Sequence, residues 1–156
     1  MKTGSPSGWK RKINSDPVVV EEIFACSAAI LWCALTNPAE MRQWYFDIAN
    51  FKPTIGFEFS FRAGRPGSEI LHICRVTEVV PGRKIAYSWR YEGIDGNSLV
   101  EFEIIPEGRN THLRIIHSGL ETFPRSNPDL AKENFVEGWR VILAKSLKNY
   151  LEAKPA

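Results

Sequence analysis

The sequence predicts an α+β fold: a curved antiparallel sheet wrapped around a long C-terminal helix, with two short helices after the first strand. Three observations carry this. From residue 57 to residue 118 apolar side chains recur at nearly every second position, broken by short turn signals. From residue 135 to residue 151 apolar and aromatic side chains recur at helical spacing on one stripe. Between the first strand and the alternating region lie two stretches that carry helix start signals.

Residues 18–25, VVVEEIFA, read as the first strand. Ser27 can cap a helix, because its hydroxyl accepts a bond from an early helical N–H. AAILWCALTN continues at helical spacing, and Asn37-Pro38 ends that helix and starts PAEMRQWY, since proline suits a first turn. Phe57, Phe59 and Phe61 then alternate with Glu58 and Ser60, and residues 69–80 form a β-rich run that stops at Pro81-Gly82. Ile85, Tyr87, Trp89 and Tyr91 alternate with polar or small neighbours. After Asp95-Gly96-Asn97, Val100, Phe102 and Ile104 alternate with Glu101 and Glu103. After Glu107-Gly108-Arg109-Asn110, Leu113, Ile115 and His117 share one face. Strands joined this closely form an antiparallel meander. For the last helix, Asn127 is the expected N-cap, Pro128 the first position, and Asp129 a favourable charge at the positive end of the dipole. Its buried stripe is Phe135, Trp139, Ile142, Leu143, Leu147, Tyr150 and Leu151.

At 156 residues one domain is expected, over residues 17–154. Residues 1–16, rich in Gly, Ser, Pro and Lys, read as a flexible tail. A formal charge of +2 is too mild to argue for a nucleic-acid partner. No apolar run reaches the 18 or so residues of a membrane span, and the basic N-terminus lacks the apolar core of a signal peptide. Cys26, Cys33 and Cys74 are odd in number and show no metal-ligand spacing. The expectation is a reduced, cytoplasmic setting with no metal and no cofactor.

Nine Phe, five Trp and four Tyr are enough ring surface to fill a core or to line a cavity. Trp44, Phe57, Phe59, Phe61, Tyr87, Trp89, Phe102, Phe135 and Trp139 are the candidate lining residues, with His117 as a polar member. His117 precedes Ser118, yet successive side chains on a strand point to opposite faces, so the two cannot pair as base and nucleophile. His117 therefore ends the wall of the apolar face, either as a core residue bonded to backbone or water or as a polar contact for a ligand. A catalytic base would need a partner that is not evident, and no catalytic residue is assigned. Gly119 suits the turn off the strand, and Gly138 would allow a close approach to the helix. His72, Cys74 and Glu78 share one parity, and Arg75 and Thr77 the other. The first set is expected to face outward; facing inward, His72 and Glu78 could polarise a carbonyl or act as acid and base. A zinc site from His72 and Cys74 lacks further ligands. Neither a phosphate-binding glycine loop nor a nucleophile elbow is present.

The order of elements, together with particular residues, resembles the helix-grip fold of the START-like (SRPBCC) superfamily. Those residues are Ala34-Leu35-Thr36 with Met41 and Trp44, Glu78-Val79 before Pro81-Gly82, and Tyr87-Ser88-Trp89. With them go His117-Ser118-Gly119-Leu120 and Gly138-Trp139 followed by Leu143, Leu147, Tyr150 and Leu151. Across residues 18–152 the chain is most similar to the branch related to the C-terminal domain of the activator of the heat-shock-protein-90 ATPase. The resemblance implies a cavity between sheet and long helix that often holds an apolar small molecule, and no shared catalytic motif. It implies also that the co-chaperone's separate N-terminal domain is absent, since about 17 residues precede the first strand. A non-catalytic binding protein for an apolar or aromatic small molecule is thus the leading expectation. The alternatives are a polyketide cyclase or dehydratase-like enzyme and a stress-linked chaperone-interacting protein. A weak homodimer is compatible with this reading, and a chaperone partner is not expected.

Overall fold

The computed structural model describes residues 16–154. The expected tail lies outside the described residues except for Asp16. Strand β1 (Val18–Phe24) is followed by helices α1 (Ala28–Thr36) and α2 (Pro38–Trp44). Five strands follow: β2 (Glu58–Ala63), β3 (Ile70–Val80), β4 (Lys84–Tyr91), β5 (Ser98–Glu107) and β6 (Asn110–Ser118). All pair antiparallel in one sheet of order β1-β6-β5-β4-β3-β2, so the chain begins at one edge and meanders back from the other. The C-terminal helix runs in three segments: α3 (Lys132–Val141), a π-helical stretch (Ile142–Leu147) and α4 (Lys148–Ala153).

The caps at the start of the chain form as the residue types require. The Ser27 hydroxyl accepts from the Ile30 N–H at 3.2 Å, and the Asn37 side chain accepts from the N–H groups of Ala39 and Glu40. Gly119 leaves β6 at φ 82°, the left-handed conformation that a residue without Cβ adopts freely.

The other end of the chain departs from expectation. Asn127 does accept from the Asp129 N–H at 3.0 Å, but it caps only a single 3-10 turn, Pro128–Leu130. Ala131 is then extended, and the long helix begins at Lys132 without a side-chain cap. Leu130 is buried in the core and docks this turn on it.

The π-helical stretch has a packing consequence. Phe135, Trp139, Leu143, Leu147 and Leu151 are spaced by four. At about 3.6 residues per turn that spacing overshoots by about 40° at each step. Widening the turn over Ile142–Leu147 slows this drift, and Trp139, Leu143 and Leu147 all stay buried against the sheet. Gly138 is exposed, and a Cβ there would meet nothing within 4 Å, so no close approach depends on it.

Inner-face residues of every strand form one core with α1, α2 and the C-terminal helix. A β-bulge between Val76 and Glu78 divides β3. Before it His72, Cys74 and Val76 point into the core; after it Glu78 emerges on the solvent side and bonds Lys84. The expectation that His72 and Cys74 face outward is therefore corrected. One extra residue reverses the parity that alternation assigns, which is why Glu78 parts from the two. No helix among the described residues is long and apolar enough to cross a membrane, and no group of side chains among them could hold a metal ion.

Candidate functional site

The fold brings all the candidate rings into one connected network. Trp44 stacks on Tyr45 at 4.9 Å, and Tyr45 meets the edge of Phe102 and the face of Trp139. Phe102 lies 5.5 Å from Tyr87, Tyr87 meets Phe59 edge-on at 5.0 Å, and Phe59 reaches both Phe57 and Phe61. Phe61 then meets Trp89, Trp89 meets His117 and Trp139, and His117 meets the edge of Phe135 at 5.1 Å. Phe57 and Phe135 are half-buried; the other members of the candidate set are buried. Trp44 also pins α2 to α1, because its indole N–H donates to the Ala34 carbonyl at 2.9 Å.

Packed this way, the rings leave little room. The crevice beneath α2, lined by Leu35, Trp44, Tyr45, Ile85, Tyr87 and Phe102, is too narrow for a water molecule. Offset and edge-to-face contacts of this kind each favour closure modestly beyond the area they bury. In this crevice the rings fill the space between sheet and helix themselves.

Three polar arrangements are set into the network. The first is built on His117, which is fully buried. The Trp139 indole can only donate, and it reaches His117 Nδ1 at 3.1 Å, so Nδ1 carries no proton. Nε2 therefore holds the proton and donates to Ser98 Oγ at 2.8 Å, and the Ser98 hydroxyl in turn donates a hydrogen bond to the Trp89 carbonyl at 2.6 Å. Every polar atom in this chain is used. A histidine–serine pair does exist here, but with the polarity opposite to that of a nucleophile and its base: the imidazole gives a hydrogen bond to the serine and has no vacant nitrogen. Burial pulls the His117 pKa down to about 3, which keeps the ring neutral.

The second arrangement joins the hydroxyls of Tyr45 and Tyr87 at 2.7 Å. Burial holds both phenols well above their usual pKa, so both remain protonated. Burial raises the Cys74 thiol as well, which leaves it an inert, protonated core group. The third arrangement is His72 beside Tyr91, at the other end of the inner face. Burial lowers the His72 pKa, partly opposed by its bond to the Ile70 carbonyl, and burial raises Tyr91 to about 12.

Reading the sequence missed Ser98, Tyr45 and Tyr91 as partners. Ser98 was within reach of pattern reasoning, since it shares the parity of Val100, Phe102 and Ile104 at the start of its strand. Tyr45 was not: the sequence reads it as the last residue of the second helix, whereas α2 ends at Trp44 and Tyr45 leaves it in a non-helical conformation.

The family described as "Activator of Hsp90 ATPase homolog 1-like protein" matches residues 25–152. Among solved structures, protein MLL2253 of Mesorhizobium loti superposes with a TM-score of 0.74 at 27% identity, over 90% of this chain and 99% of that one. Protein CV1439 of Chromobacterium violaceum gives 0.73 at 20% identity, over 89% and 99%. The Aha1 dimer of Colwellia psychrerythraea gives 0.65 at 19% identity, over 90% and 98%. No curated protein matches the chain.

Proposed function

The chain thus belongs to the family of activator of Hsp90 ATPase homolog 1-like proteins, and we propose that within it this member is a non-catalytic binding protein for an apolar or aromatic small molecule. The ligand is held between the sheet and the C-terminal helix. The observation that supports this is the continuous ring network, which runs from Trp44 to Phe135 and offers aromatic faces and edges to a guest that parts them. The entry lies at the end of α2, where Tyr45 and Phe46 are only half-buried and begin a stretch without regular secondary structure, up to β2. Tyr45 is tied to the sheet through one hydroxyl bond, to Tyr87, and a ring contact with Phe102, and Phe46 through stacking on Phe61 at 4.2 Å. These side-chain contacts can open without unpairing a strand. Because the rings close the crevice beneath α2 in the free protein, the cost of opening it subtracts from affinity.

The test is titration of the folded protein with 1-anilinonaphthalene-8-sulfonate and an apolar aromatic library. Saturable one-to-one binding with a Kd near 1 μM, about −8 kcal/mol, and quenching of tryptophan emission are expected, since Trp89 and Trp139 sit in the network. A folded protein that shows no saturable binding across the library would leave the rings purely structural, and the chaperone-interacting reading would move ahead.

A further inference from the structure

Where the hairpin between β2 and β3 meets the start of the C-terminal helix there is a separate pocket of about 300 Å³. Arg65 and Ser68 line it from the hairpin, Asp129 and Asn134 from the helix side, and His72 and Tyr91 from the sheet. That volume is at the lower end of the range for small-molecule sites, about 300–1,000 Å³.

Two buried groups in its wall have hydrogen-bonding capacity left over. His72 is 8% exposed, and its Nδ1 lies 2.8 Å from the Ile70 carbonyl oxygen. A carbonyl can only accept, so Nδ1 carries the proton and Nε2 is a bare acceptor. Among the described residues nothing donates to it. Tyr91 is 5% exposed, and its hydroxyl oxygen accepts from the Trp89 indole at 2.8 Å. The indole can only donate, so the phenolic proton is uncommitted, and no described residue accepts it. Buried polar groups are usually paired, and each exception needs a reason. Here one unmet acceptor and one unmet donor belong to rings 4.7 Å apart, at 72° to each other, on one pocket wall. Phe61, stacked on the other side of His72 at 4.7 Å, holds the imidazole in place.

We propose that this pocket binds a small neutral molecule through a primary carboxamide, whose N–H syn to the carbonyl donates to His72 Nε2 and whose carbonyl oxygen accepts from the Tyr91 hydroxyl. The charge balance of the pocket fits a neutral group. Arg65 is paired with Asp129, so no unpaired cation in the lining is left to neutralise a carboxylate. A carboxylate would moreover face the His72 lone pair without a proton to offer it. A hydrocarbon would leave both groups unmet. This site goes beyond the carrier reading and does not require the ring network to open.

Benzamide is the probe, followed by protein-observed NMR on the full chain. Saturable binding is expected, with shifts centred on His72 and Tyr91. N,N-dimethylbenzamide, which lacks the N–H, and benzoate should each bind about tenfold or more weakly, because a site built for a hydrogen bond rejects analogues that leave it unmade. His72→Phe keeps the stacked ring and removes the acceptor, and should weaken benzamide by a similar factor. Should that variant fold poorly, the ligand series on the wild-type protein decides the matter alone. Benzamide that fails to saturate, or that binds no better than its dimethyl analogue or benzoate, overturns the proposal. Benzamide should also leave bound 1-anilinonaphthalene-8-sulfonate in place, so failure of either site is read independently of the other.

Discussion

His117 and His72 lie on the same inner face of the same sheet, both buried and both held neutral by their surroundings. They differ in how their hydrogen bonds end. From Trp139 through His117 and Ser98 to the Trp89 carbonyl, each donor meets an acceptor and the chain closes on backbone. At His72 the chain stops with a bare Nε2, beside a tyrosine whose proton is uncommitted. A buried histidine is therefore uninformative by residue type. The closed chain holds the last helix to the sheet, and the open one leaves capacity for something else.

The comparison can be broken first at His117. His117→Phe orphans the Trp139 indole N–H and one acceptor position of Ser98 in a dry core, and should cost about 3 kcal/mol, measured by urea unfolding. A loss under about 1 kcal/mol would show that the chain does not tie helix to sheet. Next comes Ser98→Ala, which leaves the His117 Nε2–H without an acceptor and should cost about 2 kcal/mol, read the same way.

A pH series sharpens the same contrast. The His117 pKa is about 3 in the folded chain, against 6.5 for an unperturbed histidine. Between those values the unfolded chain holds the extra proton. The contribution of His117 is thus complete above about pH 6.5, falls by about 1.4 kcal/mol per pH unit as acid is added, and is spent near pH 3. His72, lowered by burial as well, acts in the same direction. The stability gap between wild type and His117→Phe should narrow from pH 7 to pH 5 by that slope, and a constant gap would mean that His117 is solvated. The smallest effect is expected at the open end. His72→Phe loses one bond, to Ile70, keeps the stack on Phe61, and should cost under about 1 kcal/mol. A loss as large as that of His117→Phe would erase the distinction.

Much of this was legible in the chain itself. Period-two alternation located β4, β5 and β6, the Ser27 and Asn37 caps located α1 and α2, and the parity of His117 with Leu113 and Ile115 put it on the inner wall. The divergence of His117 from Ser118 also held, with Ser118 half-buried on the other face. What failed did so for local reasons: His72 and Cys74 lie on the stretch of β3 whose even positions face the core, the bulge after Val76 then separates Glu78 from them, and the Asn127 cap serves a single 3-10 turn before the chain turns extended at Ala131.

Side-chain type and spacing determined which residues are apolar, where the backbone turns, and which face of β4, β5 and β6 is buried, because those are near-neighbour properties of the chain. The tertiary structure alone decided that Ser98 and not Ser118 meets His117, and that the rings close on one another. It alone decided that His72 ends beside Tyr91 with a lone pair unused. Each depends on the register between strands and on the angle at which a helix docks, and neither is set by the order of residues within one segment.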